Sequence, residues 1–390
     1  MRHVMYTNKP VPNWIFQNSF PIRVMLFLLI VTFYSVAQCV AQEATKPDPV
    51  QRPNQSPGAL VPGSTPVKIP VDEYIVGADI SWVQSAEDRG TKYRDHGVEK
   101  DILKILKDHG FNYIRLRVFV DPTKATPRDR PYSMQGYCDL PHTIAMSKRV
   151  KAAGMGLLID FHYSDSWADP GKQYTPSAWK GLSFEELVKK THDYARESVE
   201  QLVAAGARPD MVQLGNEITP GMMTDSGGST RDWDKLGAFL KAGIAGVREV
   251  DPKILIVLHL DRGGDNATSR RWIDAALAQG VKFDILGQSC YSRWHGPPSG
   301  WKANFDDLTA RYPQLLFMIA ELAVEVKETN EIMLGLPDRK GLGAFIWEPT
   351  ANNNGQALFD YSGNVIQGRM ALYDQIVEEY LKKHKKPDRP

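Results

Sequence analysis

Cysteine is scarce: Cys39, Cys138 and Cys290 are the only three in 390 residues. That is too few for a disulfide framework, and none is spaced with a second cysteine or a histidine in a zinc pattern. Cys138 and Cys290 are expected as free thiols, and no metal and no cofactor are expected. Neither sign of charge is in excess, with 47 basic against 46 acidic residues, and the charges are interspersed. The one-sided basic footprint of a nucleic-acid binder is therefore missing. No Gly-x-Gly-x-x-Gly and no P-loop follows any apolar run, which removes the ligand motifs of an open doubly wound sheet. What remains is ordinary globular composition, 42% hydrophobic and 24% charged, which excludes collagen, coiled coil and a mostly disordered chain.

The N-terminus is organised differently from the rest. Arg2, Lys9 and Arg23 precede an apolar run from Val24 to Val36, followed by small residues at Ser35, Ala37 and Ala41. The run is shorter than the roughly 18 apolar residues that span a bilayer, so it reads as an export signal over residues 1–41 rather than an anchor. Residues 42–70, rich in Pro, Gln and Ser, read as a Pro-rich flexible linker, and residues 71–390 as a single catalytic domain. A secreted or periplasmic monomer is expected, with no integral membrane domain after signal cleavage.

Short β-rich apolar runs recur along that domain, each followed by a stretch with helical spacing. The strands expected are Ile75–Ile80, Tyr113–Phe119, Gly156–Phe161, Met211–Leu214, Ile254–Leu258, Asp284–Gly287, Leu316–Ala320 and Gly343–Trp347. The helices expected are Val98–His109, Leu140–Ala153, Phe184–Ala205, Trp233–Val250, Ser269–Ala278, Phe305–Tyr312, Lys327–Leu334 and Arg369–His384. Gly110, Gly154, Gly206 and Gly280 mark helix exits. Eight units in alternation predict the α/β class and a closed (β/α)8 TIM barrel, a fold that commonly takes about 250 residues or more in one domain.

In such barrels chemistry sits at the carboxyl ends of the strands, and here those ends are polar. Glu217 and Glu321 each terminate an apolar run, on the fourth and seventh strands, where their tips converge over the barrel centre. Two carboxylates so placed can hydrolyse a glycosidic bond, one as nucleophile and the other as acid and then base. A lone glutamate at a strand end is more often a salt-bridged rim residue; two, with Asn216 before the first, point to catalysis.

The segments Gly77-Ala-Asp-Ile-Ser81, Arg115-Leu-Arg-Val118, Asp160-Phe-His-Tyr-Ser-Asp-Ser-Trp-Ala-Asp-Pro-Gly-Lys-Gln173, Val212-Gln-Leu-Gly-Asn-Glu-Ile218, Tyr291-Ser-Arg-Trp-His-Gly296 and Phe345-Ile-Trp-Glu-Pro349 resemble, in order, glycoside hydrolase family 53, the arabinogalactan endo-β-1,4-galactanases. The resemblance implies a retaining endo-hydrolase of β-1,4-galactan, with a polysaccharide or oligosaccharide substrate, Glu217 as acid/base and Glu321 as nucleophile. The chain departs from the family pattern at Cys290, Ser292 and Leu322, expected on the substrate side of strands six and seven. Another plant β-glycan, or a non-catalytic carbohydrate-binding barrel, are the alternatives.

Around the pair, Asp79, Arg115, His162, Asp165, Trp167, Asn216, Tyr291, Trp294 and Trp347 are the expected substrate-binding residues. Arg115 and Arg117 share a face of their strand, and a buried arginine needs a carboxylate, either Glu321 or a structural partner such as Asp79 or Asp160. Asn216 would donate to a sugar hydroxyl, or act only as a turn residue. His162 would orient a carboxylate or bind a hydroxyl. Trp82, Trp167, Trp294 and Trp347 suit stacking on sugar rings around an open groove. Tyr291 would hydrogen-bond the nucleophile unless Cys290 takes the inward position; parity leaves both open.

Overall fold

The computed structural model describes residues 74–125, 136–350 and 356–384; the expected signal and linker lie outside them. Eight parallel strands close into a barrel in chain order: β1 Ile75–Asp79, β2 Tyr113–Val118, β3 Gly156–Phe161, β4 Met211–Leu214, β5 Leu255–Leu260, β6 Ile285–Cys290, β7 Leu316–Leu322 and β8 Gly341–Trp347, with β8 pairing back onto β1. The closed TIM barrel expected from the alternation is the fold found.

Helices α1 Val83–Asp88, α2 Ile102–Asp108, α3 Leu140–Ala152, α4 Phe184–Ala204, α5 Trp233–Val250, α6 Asn266–Ala278, α7 Ser292–His295, α8 Pro298–Arg311, α9 Val326–Gly335 and α10 Gln367–His384 follow the strands. Side-chain caps fix several starts. Ser183 and Glu186 form a reciprocal capping box on α4, and Asp101, Asp139, Asp232 and Asp265 accept from the first turns of α2, α3, α5 and α6, each such cap contributing about 1 kcal/mol. The Asp101 cap also explains one correction. Val98 and Glu99, expected in a helix, pair with Asp95 and Arg94 in a short antiparallel hairpin instead, and the helix begins only past the cap. The sixth interior helix starts at Pro298 rather than Phe305, since proline suits the first helical turn. Among the described residues no helix is long and apolar enough to cross a membrane.

The interior has two levels. Its lower part is a dry plug of Ile75, Leu158, Met211, Val257, Ile285, Leu316, Met318, Leu342 and Phe345, all nearly or fully buried. One period-two step further along six strands the inward residue turns polar: Gly77 gives way to Asp79, Tyr113 to Arg115, Leu158 to Asp160, Met211 to Gln213, Val257 to His259 and Gly287 to Ser289. The plug leaves little slack. A Cβ on Gly156 would stand 2.3 Å from the Tyr113 ring, so Gly156→Ala is expected to cost about 1–3 kcal/mol by overpacking, read as a lower midpoint in urea unfolding.

Strand β7 carries an irregularity that matters for the site. Ile319 pairs with Gln288, but Glu321 pairs with Ser289, so Ala320 is an extra residue. The other neighbour records the same insertion, with Ala344 opposite Ile319 and Ile346 opposite Leu322. Met318 points into the barrel, and a Cβ on inward Gly287 would meet that of Ala320 at 2.9 Å. Strict alternation would then turn Glu321 outward with Ile319. The bulge re-phases the strand and sends Glu321 inward, the re-aiming role bulges have beside active sites.

Candidate active site

Arg115 is the hub. Fully buried, it donates from Nη1 to Asp79 Oδ2 and Glu321 Oε1 (2.9 Å each), from Nη2 to Asp160 Oδ2 and Asn216 Oδ1 (2.8 Å each), and from Nε to Gln213 Oε1 (3.2 Å). Both readings of Arg115 therefore hold: it pairs with Glu321 and with the structural carboxylates. Burial alone would push Asp160 up, but Arg115 together with His162 and His259 outweighs it and holds that carboxyl below the usual range. Arg117, on the same face, pairs with Glu348 and lies near Asp79.

Glu217 and Glu321 are both buried but treated differently. Burial pushes both upward. For Glu321 the Arg115 guanidinium and the Tyr291 hydroxyl, which donates to Oε2 at 2.9 Å, pull back. Glu217 has no such cation; the charge of Glu321 adds to burial and raises it well above the carboxylate range. Both groups remain raised, Glu217 further than Glu321, so the site holds a proton on Glu217 before Glu321, the kind of inequality that can separate an acid from a nucleophile.

Backbone strain accompanies this placement. Tyr163, Glu217, Arg262 and Glu348, just past β3, β4, β5 and β8, have φ of 48°, 48°, 64° and 45°, conformations costing on the order of 1–3 kcal/mol each outside glycine. Around Glu217 the surroundings over-determine the backbone: Gln173 donates to the Asn216 and Glu217 carbonyls at 2.7 and 3.3 Å, and the Ile218 N–H donates to the His259 carbonyl at 2.8 Å.

The other expected residues fall into two groups. Asn216 is buried, its amide donating to the Ala168 carbonyl at 2.8 Å while its oxygen accepts from Arg115. His162 Nδ1 accepts from the Ala168 N–H at 2.9 Å, and its Nε2 lies 3.0 Å from Asp160 without hydrogen-bond alignment. Asp165 accepts from the Ser177 and Asp121 amides at 2.7 and 3.2 Å, and Asp79 from Arg115 and Ser81. These four hold the loops and the hub. Tyr291 and the tryptophans lie at or just past the carboxyl ends of the strands. Trp167 stacks on Trp347 at 5.0 Å, Trp82 meets Trp347 edge-on at 5.4 Å, and Arg117 lies 5.8 Å from both Trp82 and Trp347. Trp294 stands apart, 60% exposed beside Tyr291, so three of the four form one wall instead of spreading evenly. Near that wall the Trp82 and Trp347 indole N–H groups and Glu348 Oε2 are buried without a partner.

Two expectations about β6 and β7 are corrected. Cys290 and Leu322 do not lie on the substrate side; both belong to the outer core between barrel and helices, and a Cβ on Gly263 would meet the Cys290 sulfur at 2.5 Å. At the carboxyl end of β6 the inward positions are Ser289 and, just past the strand, Tyr291. Ser289 and Gln213 escaped the expected set of site residues, although period two from Tyr291 pointed to Ser289; His259 stands among the polar residues past the fifth apolar run but without an expected role. Ser289 Oγ lies 2.6 Å from Glu217 Oε1 and 2.9 Å from His259 Nε2. Among the described residues no group of three or more His, Cys, Asp or Glu side chains is arranged to hold a metal ion.

A family model, glycosyl hydrolase family 53, matches residues 75–335. An uncharacterized protein of Niallia circulans is 37% identical over 354 residues, 77% of this chain and 94% of that one. An arabinogalactan endo-beta-1,4-galactanase of Humicola insolens is 36% identical over 314 residues, 71% of this chain and 90% of that one. Among solved structures, the GH53 catalytic domain of Ignisphaera aggregans has a TM-score of 0.72 at 32% identity, covering 80% of this chain and 98% of that one.

Proposed function

Because the chain belongs to glycosyl hydrolase family 53 and is thus a glycoside hydrolase, we propose that it is a secreted or periplasmic retaining endo-enzyme that cuts β-1,4-galactan internally. The observation that carries the mechanism is the unequal treatment of the two glutamates, with Glu321 held by Arg115 and Tyr291 and Glu217 left to burial and a neighbouring negative charge. Glu321 attacks the anomeric carbon while Glu217 gives its proton to the leaving oxygen. A water deprotonated by Glu217 then opens the glycosyl–enzyme ester, so configuration is retained over two inversions. Galactan as substrate is supported by the relatives' names. The outward placement of Cys290 and Leu322 leaves exposed Ser292 as the one departure that could face a glycan, which weakens the reason for expecting another substrate. The Trp82–Trp347–Trp167 wall and the separate Trp294 suit sugars on two sides of the cut.

The test is product analysis on galactan, cellulose, mannan and xylan, run with and without EDTA. Short galacto-oligosaccharides from galactan are expected at equal rates in both, since two-carboxylate chemistry needs no Lewis acid. Cleavage of one of the other three with none of galactan sinks the substrate assignment.

A further inference from the structure

Ser289 and His259 contact the acid/base from below, and the directions of their hydrogen bonds can be worked out from fixed points. Asn216 is one: its nitrogen faces the Ala168 carbonyl and its oxygen accepts from Arg115, both at 2.8 Å. His259 Nδ1 lies 2.9 Å from that oxygen. Burial, with Arg115 nearby, holds His259 well below the ordinary histidine range, so the ring is neutral and carries one N–H. Two donors also approach Nδ1, but less closely. The Glu217 N–H is 3.4 Å away, and the Gln213 amide nitrogen, at 3.2 Å, has better acceptors in Asp160 Oδ1 at 2.6 Å and the Gly215 carbonyl at 3.0 Å. A bare Nδ1 would set its lone pair against the Asn216 oxygen at 2.9 Å. The proton therefore sits on Nδ1 and is donated to Asn216. Nε2 is then an acceptor, and the Ser289 hydroxyl spends its single proton there. What lies between Ser289 Oγ and Glu217 Oε1, 2.6 Å apart, must be the proton of Glu217.

We propose that Ser289, backed by His259, is a positioning residue that accepts a hydrogen bond from protonated Glu217 and so keeps the acid loaded until the glycosidic oxygen takes its proton. This rests on Glu217 being the acid/base. The charged groups facing Glu217 act in the same sense: Glu321 from β7, Asp261 past β5 and Asp169 past β3 are all acidic. Those facing His259 are Arg115, Asp160, His162 and His295. A Ser289 hydroxyl that donated to the Glu217 carboxylate would instead lower it against burial and the acidic neighbours, so the sign of one shift separates the two arrangements.

Glu217 in its acid form sets the alkaline limb of kcat/KM on galacto-oligosaccharides. In Ser289→Ala the acid loses its acceptor, and the alkaline limb is expected to move about one pH unit lower, roughly a tenfold loss at fixed alkaline pH. A limb that moves higher, or does not move, overturns the proposal. Independently of any variant, ¹⁵N NMR of the wild-type chain should show His259 protonated at Nδ1 and bare at Nε2; a proton on Nε2, alone or in an imidazolium, overturns it. Glu217→Ala with near wild-type activity would instead strike at the assignment of the acid/base itself, a failure that leaves the Ser289 limb and the His259 tautomer as separate readings.

Discussion

Glu217→Ala and Glu321→Ala are each expected to lower hydrolysis of galactan by several orders of magnitude in a folded protein. The loss of a positioned general acid alone accounts for about 10²–10⁴-fold. Azide tells the two roles apart. With Glu217→Ala, an aryl glycoside whose leaving group needs no proton still forms the ester on Glu321, and azide opens it to a β-glycosyl azide. With Glu321→Ala there is no ester, so azide attacks the anomeric carbon directly and gives the inverted α-azide. Near wild-type rates in both variants would mean that the pair is not the catalytic pair.

Arg115→Met is expected to be the most damaging change for stability. It leaves Asp79, Asp160 and Glu321 buried together without the guanidinium that joins them, and removing one partner of a buried ion pair costs about 3–5 kcal/mol. Arg115→Lys keeps the charge but cannot reach five acceptors in a plane with a single ammonium. Arg115 opposes the upward push of burial on Glu321. Without it the nucleophile ionises only at higher pH, and the acid limb of kcat/KM should move up. Urea unfolding and the pH profile of Arg115→Met measure the two effects; an unmoved acid limb with unchanged stability would deny Arg115 its place as hub.

Much of this was legible in the chain because strand alternation and helix spacing are local signals. Gly156–Phe161 and Met211–Leu214 have the bounds the apolar runs suggested, and Asn216-Glu217 at a strand end already marked the glutamate proposed as acid/base. What escaped was phase. The apolar runs ended β5 at Leu258 and β6 at Gly287, yet the strands continue to Leu260 and Cys290, because inward His259 and Ser289 are polar and look like loop. The same gap hid which of Cys290 and Tyr291 faces inward. It also made Leu322 look like a substrate-side residue, since a one-residue insertion next to Glu321 has no mark in composition. Asp165 looked like a ligand because polar residues past a strand are candidates by position alone; only its three-dimensional neighbours reveal that the loops consume it.

The extra residue in β7 makes that strand a poor spare part. Alanine 320 contributes no chemistry, yet it is the spacer that turns Glu321 inward. A chimera that imports a regularly paired β7 from another barrel could close its ladder better and still present the nucleophile to the helices. Whoever transplants this active site must carry the irregularity with it, as a unit of inheritance shorter than the strand and just as necessary as the glutamate.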